Sequence, residues 1–521
     1  MQLLGFLIGA LAAAAQATST SNVTKFTSFA QNLGLSAANT RALAARYAKA
    51  DDSVAILNVA CLTAQGVLGA ANVDTSPLNQ TIVDVNWSES CFAEPHCIIQ
   101  PEVAQDVSTA VKVIGFFQVK FAVRSGGHSP NPGWSSIGSQ GILIDLSKLS
   151  SVSLSSDGKV ASVGPGLRWG EVTEALNPEK AVVLGGRLPS VGVGGLILGG
   201  GYHHLSTRYG LAADNVHNFE VVLSNGTIVD ANAEQNSDLF RALKGGGPNF
   251  GIVSRYDLNT VPVYEVWAEM RYYSTDQAPA VLDAFTEWQL NGASDVKSVV
   301  AIDISLTSIV IGLVYSEPAV KPSAFAPFYD LEPLSIPVPG MNTTFVVIDE
   351  LLASAFPTAK ARHDYRGCST RINANLTRDV YDYWVEKAQA AYQATGVNQT
   401  FALQYVGENL IQKGIENGGN ALNIPSGPQQ WWTTIVDWEN EADDEAARSV
   451  SIETTKYWKK LAKERGLDVS LTYMNDASRD QNPLESYGAT SLKQLKATSK
   501  KYDPTQMLQR LQNNGFLLSK A

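Results

Sequence analysis

"VRSGGHSPNPG", Val123 to Gly133, follows the apolar run "VKFAV", Val119 to Val123. A strand that runs into paired glycines can aim several backbone N–H groups at one point, because glycine adopts conformations other residues avoid. One of only six histidines in the chain, His128, sits in that turn. Taken alone it could be a turn residue, a metal ligand, a catalytic base or an attachment point.

Glycine clusters three more times: "VGPGLRWG" (163–170), "GGRLPSVGVGGLILGGG" (185–201) and "KGGGPNFG" (244–251). One such loop is weak evidence, but four within residues 93–264 point to a large phosphate-bearing cofactor. The dinucleotide fingerprint needs G-x-G-x-x-G between a strand and a helix, with an acidic residue ~20 positions on. Gly192, Gly194 and Gly195 do not keep that spacing, and no "GK[ST]" completes a P-loop. The anion site belongs to another architecture.

Around these loops the pattern alternates. "CIIQPEVAQDVSTAVKVIGFF" reads as a strand, a proline turn and a helix, and "GILIDLS", "ASVGPG" and "AVVLGG" read as strands. "FEVVLSNGTIVDA" is a hairpin turning at Asn225-Gly226. "SDLFRALKG" is a helix capped by Ser237 and stopped by Gly245. After Val266 longer strands and helices take over, "ARHDYRG" (361–367) reads as a substrate-facing strand or a solvated turn, the turn being favoured, and Trp431 and Trp432 read as core. The last helix should stop at Asp503-Pro504. The fold class is α+β. The expected segments are 1–17 (signal peptide), 18–92, 93–264 (cofactor domain), 265–470 (substrate domain, an antiparallel sheet covered by helices) and 471–521, which returns to the cofactor.

The chain has 521 residues, 45% hydrophobic and 17% charged, with a net charge of −11. That composition suits a folded protein of ~2 to 4 domains. Without a basic run, nucleic acid and anionic membrane are poor partners. Leu3–Ala15 is apolar but too short to span a bilayer, and Ala15-Gln16-Ala17 offers an A-x-A cleavage site, although no Lys or Arg precedes it. A secreted protein is expected. Sequons at Asn22, Asn79, Asn86, Asn225, Asn342, Asn375 and Asn398 agree with that route. Cys61, Cys91, Cys97 and Cys368 allow three complete pairings; spacing does not choose among them, and Cys61–Cys97 is the expected one. Zinc spacing is absent, and no metal is expected.

In order, "P-x-C-I-I-x-P", "VRSGGHS", "GLRWGEV", "LPSVGVGGLILGGG", "YGLAADNV", "GGGPNFGIV" and "YDP" resemble the FAD-linked oxidases of the berberine-bridge-enzyme type, fungal secreted members above all. These carry the FAD-binding domain of the vanillyl-alcohol oxidase (PCMH) superfamily. The resemblance spans about Cys61 to Gly515. It implies FAD held by Arg124, Ser125, Gly126, Gly127, Ser129, Pro189, Val191, Gly192, Gly195, Gly199, Gly200, Gly251, Val253 and Asn475, and bonded covalently to His128. A neutral imidazole is a competent nucleophile near pH 7, and a histidyl substituent should raise the flavin potential. Many relatives add a cysteinyl bond from "C-P-x-V-G"; here that position is Leu188, so one attachment is expected, with a lower potential than two.

The resemblance also implies that Tyr473, in "LTYMND", could be the base if a neighbour lowers its pKa, with packing an equal alternative. Asp476 stands where many relatives have an aromatic residue. One of His203 and His204 could face the flavin or the substrate, with satisfaction by backbone the favoured reading. The expected activity is oxidation of a small molecule by hydride transfer to the flavin, dioxygen being the acceptor, in secondary-metabolite biosynthesis. The alternatives are a carbohydrate or alcohol oxidase of the same fold, and a flavin-holding cyclisation protein without net oxidation. Substrate, base and oligomeric state are open at this point.

Overall fold

The computed structural model describes residues 22–355 and 361–521. The expected signal peptide, residues 1–17, lies outside them.

Three sheets follow one another along the chain. The first has four strands in the order Val73–Thr75, Cys97–Ile99, Gly141–Asp145, Lys120–Arg124. The last three are parallel, and Val73–Thr75 joins antiparallel. Parallel neighbours need a long crossover, and the helix Ala104–Phe117 supplies one. Its apolar stripe, Val107, Val111 and Ile114, packs with Phe121, Ile142 and Ile144. Residues 22–92 pack into this unit. Leu57 and Ala60 of the helix Ser53–Leu68 share its core, and the sulfurs of Cys61 and Cys97 are joined. Met507, Leu508 and Leu511 reach the same core from the other end of the chain.

The second sheet is antiparallel, ordered Val152–Leu154, Val160–Val163, Ile252–Val261, Val216–Val222, Ile228–Asn232, with Val182–Val183 beside Ile252–Val261. Its expected hairpin turns at Gly226, whose φ of +80° suits glycine. The helix Ser237–Leu243 takes Asn236 rather than Ser237 as its N-cap residue.

The third sheet has nine strands, all antiparallel, between Val266 and Val469. Three helices, Ala278–Leu290, Ala374–Thr395 and Asp444–Glu464, cover one face and bury Trp288, Trp384 and Trp458 against Phe401 and Trp432. Strand alternation decides the other face. In Gln429–Trp438, Trp432 points to the helices while Thr433 and Ile435 face a cleft. "RHDYRG" is not a turn but the start of the strand Arg362–Arg371, paired along its whole length with Gln429–Trp438. Its charges misled the reading: Arg366 and Asp364 pair with Asp480 and Arg448 instead of meeting water.

Arg124, expected to hold phosphate, is a correction. Its guanidinium is 1% exposed and pairs at 2.6 Å with Asp145, itself 2% exposed. It also donates to Ile82 O, Val83 O and Asn86 Oδ1 at 2.5, 3.3 and 3.1 Å. All this ties the strand end to residues 82–86, and Arg124 itself does not line the cleft. Asn86 is therefore not a glycan site in the folded chain: it is 1% exposed, and its amide is shared between Arg124 and Ser135. Asn22, Asn79, Asn225, Asn342 and Asn375 are exposed, and Asn398 is half-buried. Among the described residues, no helix is long and apolar enough to cross a membrane.

Removing one partner of a buried ion pair leaves an uncompensated charge. Asp145→Ala should cost about 3–5 kcal/mol of stability, read from urea denaturation.

Candidate active site

The cleft between the three sheets encloses about 1960 Å³ between atoms, part of it open to solvent. Ser125, Gly126, Gly127, His128 and Ser129 line it, as do Val191, Gly192, Gly195, Gly251, Val253, Tyr473 and Asn475.

Two glycine loops touch backbone to backbone. A Cβ on Gly126 would lie 2.4 Å from the Gly192 Cα, so neither position accepts a side chain without the loops parting. Ser125 Oγ braces them, donating to Pro165 O at 2.5 Å and accepting from Gly194 N at 3.1 Å. Gly127 has φ +66°. Among the described residues, the amides of Gly126, Gly127 and His128 have no protein acceptor. Free N–H groups converging from such a turn form an anion nest. A Cβ on Gly195 would meet nothing within 4 Å, so the cradle is open there. Long cleft, bare amides and glycine floor together fit the pyrophosphate and body of an FAD.

Three expected contacts stand elsewhere. Pro189 packs on Gly170, 2.8 Å from where its Cβ would be, and is not on the cleft wall. Gly199 makes room for Asn475, whose Oδ1 would lie 1.9 Å from a Cβ there, and Gly200 backs onto Tyr473. They shape the wall through its side chains.

At one end of the cleft, burial, then Arg168, then His363 push the His128 pKa down to about 3, so the imidazole is neutral at pH 7. Its Nε2 is 3.4 Å from Ser190 Oγ. Its ring stacks on Trp87, centroids 4.5 Å apart and planes 10° apart. Leu188 is also on the wall, with no thiol to offer a flavin.

The third sheet and the segment after Val469 close that end. Gln404 Nε2 donates to Asp476 Oδ2 at 2.6 Å, and Arg187 Nη2 donates to Gln404 Oε1 at 2.9 Å. Burial outweighs the attraction of Arg187 and pushes the Asp476 carboxyl up to about 6. Burial, then the Asp476 charge, push Tyr473 above its ordinary value, and its hydroxyl accepts from Asn475 Nδ2 at 3.0 Å while its ring stacks on Trp431. The lowered pKa that a tyrosine base needs is therefore absent. His203 Nδ1 accepts from Leu205 N, neither ring nitrogen of His204 has a partner among the described residues, and neither histidine lines the cleft.

Sequence reasoning missed Trp87, Arg187 and Gln404, and it named Tyr365 only within a segment read by preference as a turn. Gln404 carried a signal, a polar residue inside the apolar strand Phe401–Val406. Trp87 carried none.

Gly126→Ala should cost about 1–3 kcal/mol, as overpacking against backbone does. Gly195→Ala should keep the melting temperature yet lower the flavin absorbance per mole of purified chain, because its methyl group enters only the cradle.

Known proteins share the sequence pattern and the fold. Residues 95–232 match the FAD binding domain model. An FAD-dependent monooxygenase of Arthrobotrys oligospora is 38% identical over 461 residues, 88% of this chain and 89% of that one. The bifunctional solanapyrone synthase of Alternaria solani is 32% identical over 426 residues, 81% and 82% of the two chains. Glucooligosaccharide oxidase from Acremonium strictum, whose FAD is described as 6-S-cysteinyl, 8α-N1-histidyl, superposes with a TM-score of 0.70 at 21% identity, over 85% of this chain and 97% of that one. The chain thus belongs to the FAD-dependent oxidoreductases of the berberine-bridge-enzyme type, built on a PCMH-type FAD-binding domain.

Proposed function

We propose that the protein is a secreted oxidase of secondary metabolism that holds FAD by one covalent bond, through His128, and oxidises a small organic substrate with dioxygen as acceptor. The observation that carries this reading is a neutral imidazole at the end of a glycine cradle, with Leu188 where a second tether would start. The solanapyrone synthase relative supports a biosynthetic role. The missing second tether argues against a carbohydrate oxidase, since the oligosaccharide oxidase of this fold carries two.

When bound, FAD supplies a two-electron acceptor that takes hydride from carbon and passes electrons to dioxygen, giving hydrogen peroxide. The chain handles the proton. Asp476 Oδ2 is held by Gln404, and no hydrogen bond occupies Oδ1 among the described residues, so Oδ1 can take a proton from a substrate hydroxyl or N–H. Arg187 orients Gln404 and offsets the charge. Tyr473 and Tyr365 line the same end as neutral phenols, both raised by burial and by Asp476. Asp476, not Tyr473, is the proton acceptor in this reading.

A second reading, incorporation of one oxygen atom into product, is favoured by the name of the Arthrobotrys relative.

Acid precipitation should keep yellow flavin with the polypeptide, and His128→Ala should release it. A substrate panel with peroxide detection should show one peroxide per turnover; product carrying label from oxygen-18 gas would favour monooxygenation, and product without flavin reduction would leave only the cyclisation role. Below pH about 6 the Asp476 carboxyl is protonated and cannot accept a proton, so kcat/KM should fall as pH drops through that value. Asp476→Asn should lower kcat by about 100-fold or more and flatten that limb, whereas Tyr473→Phe should keep it.

A further inference from the structure

We propose that Trp87 is a positioning residue for flavin attachment: its indole, stacked with both His128 and His363, fixes the plane in which the His128 imidazole meets the flavin. The inference rests on the His128 tether proposed above.

His128 emerges from a turn rich in glycine, which gives its side chain little steric support. Its hydrogen bond to Ser190 Oγ is long, 3.4 Å. The stack is the stronger restraint. Trp87 stacks 4.5 Å from His128 at 10° and 3.7 Å from His363 at 1°, with Tyr365 a further 5.3 Å neighbour at 29°. The His363 ring is anchored in turn. His363 and Asp437 are directly opposed across the strand pair, and Nδ1 lies 2.5 Å from Asp437 Oδ1. Backbone bonds hold Trp87 at the same seam. Trp87 N donates to Gly127 O at 3.0 Å, His363 N donates to Ser88 Oγ at 2.8 Å, and Glu89 N donates to Ala361 O at 2.9 Å. Residues 87–89 thus join the cofactor loop to the substrate sheet, and the imidazole plane is set by a strand more than two hundred residues away in sequence.

Attachment exchanges one C–H bond of the flavin ring methyl group for a C–N bond to the imidazole. Two electrons pass through the flavin to dioxygen, and the two protons lost, one from the methyl group and one from the imidazole, leave with them as hydrogen peroxide. A reaction that forms one bond between two held partners is sensitive to orientation, and a misplacement of ~1 Å can cost ~100-fold.

The test uses full-length protein produced under riboflavin limitation and then given FAD. The readout is flavin fluorescence that survives denaturing electrophoresis, followed in time; native absorbance reports bound flavin separately. Trp87→Ala should bind FAD but attach it about 100-fold more slowly, and Trp87→Phe, which keeps a stacking ring, should recover to within about tenfold of wild type. His363→Phe, which keeps the ring and loses the Asp437 bond, should attach faster than His363→Ala. This second pair decides the matter if Trp87→Ala does not fold. Wild-type rates in Trp87→Ala, or His363→Phe no faster than His363→Ala, overturn the positioning role. A wild-type chain with no acid-stable flavin overturns the tether itself.

Discussion

A guanidinium with almost no exposed surface needs every donor answered, and Arg124 finds its answers in two places at once. Asp145 lies at the end of the neighbouring parallel strand, and the carbonyls of Ile82 and Val83 with the Asn86 amide belong to the segment before the first cysteine pair partner on the sheet. The pair therefore fixes where strand Lys120–Arg124 ends and which way residues 125–129 leave it. It also brings Trp87 under the loop. A residue whose chemistry suggests phosphate binding instead sets the frame on which the nest of free amides is built.

Two electrostatic regimes share one cleft. Around His128 the surroundings oppose positive charge: burial, Arg168 and His363 all act in that direction. Across the cleft they oppose negative charge. Asp476 is raised to about 6 by burial, with Arg187 as the cation that offsets it. An imidazole kept neutral is fit to form a bond to carbon, and a carboxylate raised toward neutrality is fit to take a proton and release it again. Tyr473 and Asp476, three positions apart, show how local this is. The same burial that makes the carboxyl a better base makes the phenol a worse one.

Much of this was legible without coordinates. The glycine motifs in their order carried the fold and the cofactor, because a backbone that must approach another backbone or a ligand excludes Cβ, and that constraint is written as glycine. The alternation in "QWWTTIVDW" separates core from cleft along one strand. Three errors share one cause. Arg124, Pro189 and Asp364-Tyr365-Arg366 were read from residue type and neighbours, whereas their partners lie at Asp145, Gly170, Arg448 and Asp480. Charge in a sequence suggests water or ligand; only packing reveals an ion pair.

The sequence by itself determined the architecture and the presence of an FAD-binding domain, since glycine spacing and strand period are properties of the chain. Tertiary structure decided the rest. Trp87, His363, Gln404 and Asp476 come from the first sheet's margin, the third sheet and the C-terminal segment, and they meet only because the nine-stranded sheet turns its uncovered face onto the cleft. Stacking, desolvation and a carboxyl group's affinity for protons depend on distances of a few ångströms between residues far apart in sequence, which no local pattern records.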